Sequence, residues 1–268
     1  MIAVEITKML RRPRTWVTIV MLNALPTLIA VLLALTDIGP RPGEGPAFLS
    51  AVLSNGTFFP LAALAVILPL FLPVAVAVIA GDSVAGEAQS GTLRYLLVRP
   101  VGRTRLLVAK LVSIFVFVLL AVVAVAAVAY VVGVNLFGTS SVAASVSGTT
   151  LTNTEVAVRT AMAIGYITLS MLGVAAMALF LSTLTDSPLA ATLGALAFLI
   201  ASSLLFTLDA ADALSPYLPT RYWLAFTDLF RDPIRWRDIT RGIGLQAVYV
   251  VVLLSAAWAN FTTKDITS

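Results

Sequence analysis

Apolar residues in this chain fall in long unbroken runs rather than in stripes, and the polar residues gather between the runs. A membrane-spanning helix needs about 20 apolar residues, within a range of about 17–25. Six runs reach that length: roughly Trp16–Leu35, Phe58–Ala80, Leu106–Val134, Ala161–Leu184, Leu189–Leu208 and Gly242–Ala259. The third exceeds what a bilayer requires, which leaves room for tilt or for extension past the lipid. In hydrocarbon every backbone N–H and C=O needs an internal partner, so the runs predict helices. The period-two alternation of a transmembrane barrel is absent. The expected fold class is an all-α polytopic membrane protein, with six transmembrane helices forming one transmembrane domain over residues 1–268.

Two polar stretches between runs carry patterns of their own. In 209–241, Tyr222, Trp223, Phe226, Leu229 and Phe230 share one helical face, with Arg221, Asp228 and Arg231 away from it. Pro219 and Pro233 bracket that face as helix punctuation. A short amphipathic helix at the membrane interface is the plain reading, and a lid over an outward exit is the sharper one. In 81–105, Gly81-Asp82-Ser83 ends the second run and offers side-chain acceptors for capping a new helix. Gly91 permits a bend, Thr92 can cap a second short helix, and Pro100 stops it. Thr104 can then cap the third span. The expected form is helix, bend, helix and turn on the cytoplasmic surface.

Composition agrees with the runs. The chain is 60% hydrophobic and 11% charged, with a mean hydropathy of +1.02. A soluble domain carries about 25% charged residues. There is no cysteine, which excludes disulfides and thiolate sites, and no histidine, the commonest general base and zinc ligand. No soluble domain is long enough to present a nucleic-acid footprint.

Charge placement sets the expected orientation. Lys8, Arg11, Arg12 and Arg14 precede the first span, and Arg94, Arg99, Arg103, Arg105 and Lys110 surround the second connection. Basic residues in short loops prefer the cytoplasm, so both segments, and both termini, are expected inside. The connection from Asn135 to Glu155 has no Lys or Arg and fits the outside. The segment 209–241 resists the scheme, because six spans place it outside although it holds Arg221, Arg231, Arg235, Arg237 and Arg241. Failure of one weaker span to cross would resolve that conflict the other way.

No Asp, Glu, Lys or Arg lies within the central parts of the runs. Intramembrane ionisable groups mark proton relays and ion paths, so their absence argues against a proton-coupled transporter and against an embedded hydrolase. No G-x-x-x-x-G-K-[ST] phosphate loop occurs. No catalytic or metal-binding residue is expected in this chain. Span polar groups such as Asn23, Ser113, Thr168, Ser170, Thr192, Ser202 and Ser203 read as interhelical hydrogen-bonding groups. Gly165, Gly173 and Gly194 read as close-packing points. Pro69 and Pro73 are candidate flexing points in the second span, and a static bend accounts for them equally well.

Lipid attraction explains the basic charge of the 81–105 segment. It does not explain the spacing Glu87-x-x-x-Gly91-Thr92-Leu93-Arg94-x-Leu96-Leu97-x-x-Pro100-Val101-x-Arg103, followed by Lys110. That spacing resembles the signature of type-2 ATP-binding-cassette (ABC) permeases. The N-terminal Glu5-x-x-Lys8-x-x-x-Arg12-x-Arg14 and the C-terminal Phe261-x-x-Lys264-Asp265-Ile266 are similar to that family's ends. The resemblance implies a coupling helix in 81–105 that docks on a separate ATPase subunit. It puts Glu87, Gly91, Thr92, Leu93, Arg94, Leu97, Pro100 and Arg103 at that contact.

It also implies a second permease subunit, identical or similar, and an outer segment made of short re-entrant helices. ATP and Mg would be held by the partner ATPase, with no cofactor in this chain. The implied function is the permease subunit of an ATP-driven exporter in the bacterial cytoplasmic membrane, working by alternating access. No substrate-site motif transfers. The alternative is a non-transporting membrane scaffold that recruits a soluble partner through the same segment.

Overall fold

Pro13 decides how the chain begins. A residue before proline is driven to extended backbone, and Arg12 sits at φ −76° and ψ 124°. Helix α1, Ile2–Arg11, therefore stops there, and α2, Pro13–Leu35, starts with proline in its first turn. The elbow is closed by side chains of α2. Thr15 Oγ1 donates to Met9 O at 2.7 Å and Trp16 Nε1 donates to Leu10 O at 2.8 Å, which satisfies carbonyls that a helix end would leave open.

The computed structural model describes residues 1–36, 55–91, 102–139, 142–144, 149–208 and 213–263. Six helices among them are long and apolar enough to cross a membrane. They are α2, α4 (Phe71–Gln89), α5 (Arg103–Phe137), α6 (Asn153–Leu184), α7 (Pro188–Phe206) and α8 (Trp236–Thr263). The architecture is that of an all-α multi-pass membrane protein. A shorter helix, α3 (Phe59–Ile67), follows a 3-10 turn at Gly56–Phe58 and leads into α4. A two-stranded antiparallel ladder, β1 (Val142–Ala144) against β2 (Thr150–Thr152), lies between α5 and α6.

The second apolar run is two helices, not one. Pro69 has no N–H and its ring collides with the carbonyl one turn earlier, and the chain leaves helical geometry at Leu70, with φ −135° and ψ −57°. Pro73 lies in the first turn of α4, where a missing donor removes no intrahelical bond. The break therefore belongs to Pro69 alone. The other end of α4 also departs from expectation. Gly81-Asp82-Ser83 does not end a helix, because α4 runs through it to Gln89. Ser182 of α6 supports the chain there: its hydroxyl donates to Gly81 O at 2.6 Å and accepts from Ala85 N at 2.9 Å.

The helices outrun their apolar cores. Helix α6 begins at Asn153 with a capping box in which Thr152 Oγ1 accepts from Glu155 N and Glu155 Oε2 accepts from Thr152 N. Helix α7 begins at Pro188 after Ser187, whose Oγ accepts from Ala190 N. Helix α5 starts at Arg103 after Gly102, one residue ahead of the expected cap Thr104. Thr104 Oγ1 accepts instead from Trp258 Nε1 of α8.

Helix α6 is the centre of the bundle, with 67% of its apolar window buried against 17% in α8. It packs on α4, α5, α7 and α8, and α3 packs on α5. Gly56 and Gly133 bring the 3-10 turn and α5 into backbone contact: a Cβ on Gly56 would lie 2.0 Å from Gly133 O. Phe58, Phe117, Phe226 and Phe230 are fully buried in the shared core.

Residues 213–235 are inserted against α6 and α8 of the bundle. A 3-10 stretch covers Trp223–Phe230, and its threefold period stacks Trp223, Phe226 and Leu229 inward, with Phe230 beside them. Covered carbonyls of non-helical backbone need partners, and the spans supply them. Gln246 Nε2 donates to Pro219 O (2.7 Å), Tyr166 Oη to Tyr222 O (2.6 Å) and Tyr249 Oη to Tyr217 O (2.9 Å). Arg159 donates to Arg231 O at 2.9 Å. Two of the arginines that disturbed the charge pattern are used locally. Arg231 pairs with Asp228 at 2.6 Å and Arg221 lies 4.7 Å from the Phe206 ring centroid.

Candidate functional site

The end of α4, the start of α5 and the whole of α1 meet at one face of the bundle, and among the described residues outside the inserted segment most of the charge collects there. Glu87, in the last turn of α4, is 4% exposed. A buried carboxylate needs compensating partners. Lys8 Nζ reaches it from α1 at 2.6 Å and Lys110 Nζ from α5 at 2.7 Å. Lys110 is itself 2% exposed, donates to Ser83 O at 2.6 Å and lies 3.7 Å from Glu5. Ser113 of α5 donates to Glu5 O at 3.3 Å. One helical turn earlier in α4, Asp82 accepts from Arg12 at 3.1 Å and from Arg14.

The spacings explain how three separate segments supply one network. Glu5 and Lys8 are three residues apart, as are Lys110 and Ser113, so each pair shares a helix face. Met9 completes the inward face of α1, while Val4 and Arg11 stay exposed. The network lines a half-open cavity of about 40 Å³ formed by Glu5, Lys8, Arg14, Ser83, Glu87 and Lys110 among others. Such a space admits a few waters. This is a mechanical joint: it pins α1 and the N-terminal turns of α5 to the end of α4.

The expected site residues divide into three groups. Glu87 is engaged within the chain. Gly91 follows the end of α4 at φ +68°, with its N–H on Ala88 O at 3.0 Å. Its left-handed backbone closes the helix, a conformation that costs other residues about 1–2 kcal/mol. Arg103 also turns inward. Its guanidinium donates to Phe261 O at 3.2 Å and Thr262 O at 2.8 Å. A cation at the C-terminal carbonyls of α8 is favoured by the helix dipole. Thr92, Leu93, Arg94, Leu97 and Pro100 lie outside the described residues. Pro69 and Pro73 sit away from this face, at and just after the break before α4.

Sequence reading missed the partners rather than the members. In the sequence Lys8 and Lys110 read as orientation charges and as parts of the family resemblance, Glu5 as part of that resemblance and Asp82 as a cap, with no pairing among them. One signal pointed further. Lys110 sits seven residues into α5, just inside an apolar run, and a charge there needs a counter-charge. Among the described residues, no cluster of His, Cys, Asp and Glu could hold a metal ion.

The same face holds the other chain-closing contacts. Asn260 of α8 donates to Thr183 O of α6 at 2.8 Å, so α6 and α8 end together beside Arg103. No curated protein matches the chain. The chain belongs to the family described as "Protein of unknown function (DUF2705)", whose model matches residues 46–267, from ahead of α3 to beyond α8.

Proposed function

We propose that this chain is the permease subunit of an ATP-driven exporter, and that a separate ATPase subunit drives it by pushing on the 81–105 segment. The observation that carries the reading is the clamp on Glu87. The last turn of α4 is held by Lys8 and Lys110 immediately before the segment whose spacing resembles the coupling element of type-2 ABC permeases. On the far side of that segment, Arg103 ties its return to the end of α8. A load applied between Gly91 and Arg103 therefore reaches α1, α4, α5 and α8 through short charged contacts with little slack.

In this reading Glu87, Gly91 and Arg103 are positioning residues. The contact surface is left to Thr92, Leu93, Arg94, Leu97 and Pro100. The α1 face is cytoplasmic, as its basic residues favour, and the inserted 213–235 segment covers the opposite, outer end. Two permease subunits pair around the path, and ATP and Mg stay with the ATPase.

The test is co-expression with an ATPase encoded beside this gene, followed by purification and reconstitution in liposomes. The expected result is a stable complex with ATP turnover, in which Arg94→Glu lowers ATPase retention at least tenfold and leaves the permease folded. A retrieved partner without nucleotide hydrolysis would instead favour the scaffold function.

A further inference from the structure

A groove of about 330 Å³ opens on the bundle surface between α5 and α6, beside the start of α3. Its size is that of a small-molecule site, about 300–1,000 Å³. Small side chains make the space: Ala126 and Ala127 on α5 face Ala157 and Ala161 on α6, and Tyr130 stands at one end. The lining runs along α6 from Asn153 to Ile164, about 16 Å at 1.5 Å per residue. The polar members, Thr57, Tyr130 and Asn153, lie toward the end of the bundle opposite α1, and Val123 and Ile164 lie deeper.

Two observations define an occupant. Thr57 lines the groove, is 5% exposed, and its Oγ1 has no hydrogen-bond partner. A buried hydroxyl without a partner is costly, and a threonine kept there is poised for a ligand group. The other lining threonine is already engaged, since Thr160 Oγ1 donates to Val156 O at 2.8 Å. Second, among the described residues the lining contains no Asp, Glu, Lys or Arg, so none of them would compensate a charged headgroup. A groove that is apolar along most of its length, with a buried unpaired hydroxyl in its wall toward the end opposite α1, fits an alkyl chain bearing an uncharged polar head.

We infer that this groove binds a neutral, hydroxyl-bearing single-chain lipid drawn from the bilayer, with its head at Thr57 and its tail between Ala127 and Ala157. The site requires no ATPase, so it stands independently of the export reading.

The probe is a monoacylglycerol carrying a photoreactive diazirine in its tail, applied to the purified full chain in nanodiscs. Saturable labelling is expected, mapping to peptides that contain Val123–Tyr130 and Val156–Ile164. Filling the groove with Ala157→Trp or Ala127→Phe should reduce labelling at least tenfold. Val251→Trp, on an exposed face of α8, should leave it unchanged. Thr57→Val should weaken apparent affinity about five- to tenfold, the effect of one hydrogen bond. A photoreactive fatty acid of equal length should label more weakly. Non-saturable labelling, or equal labelling of folded Ala157→Trp and Ala127→Phe proteins, overturns the site. Equal labelling by the fatty acid overturns the neutral head.

Discussion

Removing Lys110 tests whether the charge network is a joint or a decoration. At 2.7 Å from Glu87, with an effective dielectric constant of about 20, the gross attraction is about 6 kcal/mol. Desolvation of the two ions offsets most of it, so the net contribution of the intact pair is small. Breaking it is another matter, because Lys110→Met leaves the carboxylate buried. Lys8 stays in place, but its side chain is 40% exposed and is screened by water. The expected loss is about 3 kcal/mol, at the lower end of the range for an orphaned buried charge. Glu87→Gln should cost less, about 2 kcal/mol, since Lys110 keeps Ser83 O and Glu5. The double variant should cost no more than the worse single one. That gives a coupling of at least about 2 kcal/mol in a double-mutant cycle. The assay is equilibrium unfolding in mixed micelles titrated with SDS. Additive losses, with coupling below about 0.5 kcal/mol, would refute the joint.

Two further outcomes follow from close contacts. Gly133→Val should abolish the monodisperse folded protein, because a Cβ there would sit 2.3 Å from Gly56 O; Gly165→Ala, with nothing within 4 Å, should elute as wild type on size exclusion. Tyr166→Phe and Gln246→Leu free a part-buried and a buried carbonyl of the inserted segment, and should cost about 1 and about 1–3 kcal/mol. Amide exchange should rise in 215–231 and stay unchanged in α2.

The spans were readable because hydrocarbon imposes one demand on every residue of a run. Their ends were less so. Asn153 to Thr160 and Trp236 to Arg241 are polar or mixed, and their helicity depends on caps and on neighbours rather than on lipid. The break at Pro69 was visible as a residue, but a hydropathy window averages across it. The inward face of Trp223, Phe226 and Leu229 could be read from spacing, whereas the carbonyl partners Tyr166, Gln246 and Tyr249 could not. The network around Glu87 was hidden for the same reason. Its members are separated by 79 residues from Lys8 to Glu87 and 108 from Glu5 to Ser113. No local pattern specifies a pairing at that distance.

The location of the Glu87 joint also sets an order of assembly. Glu5 and Lys8 leave the ribosome about 100 residues before Lys110, a delay of about 5–20 s at ordinary synthesis rates. Through that interval α1 has neither α5 nor the carboxylate of Glu87 to dock on. Its exposed Ile2 and Val4 suit it to wait at the lipid surface. Helix α1, made before α4 and α5, is thus seated after them, and its docking reports that the two are already in register.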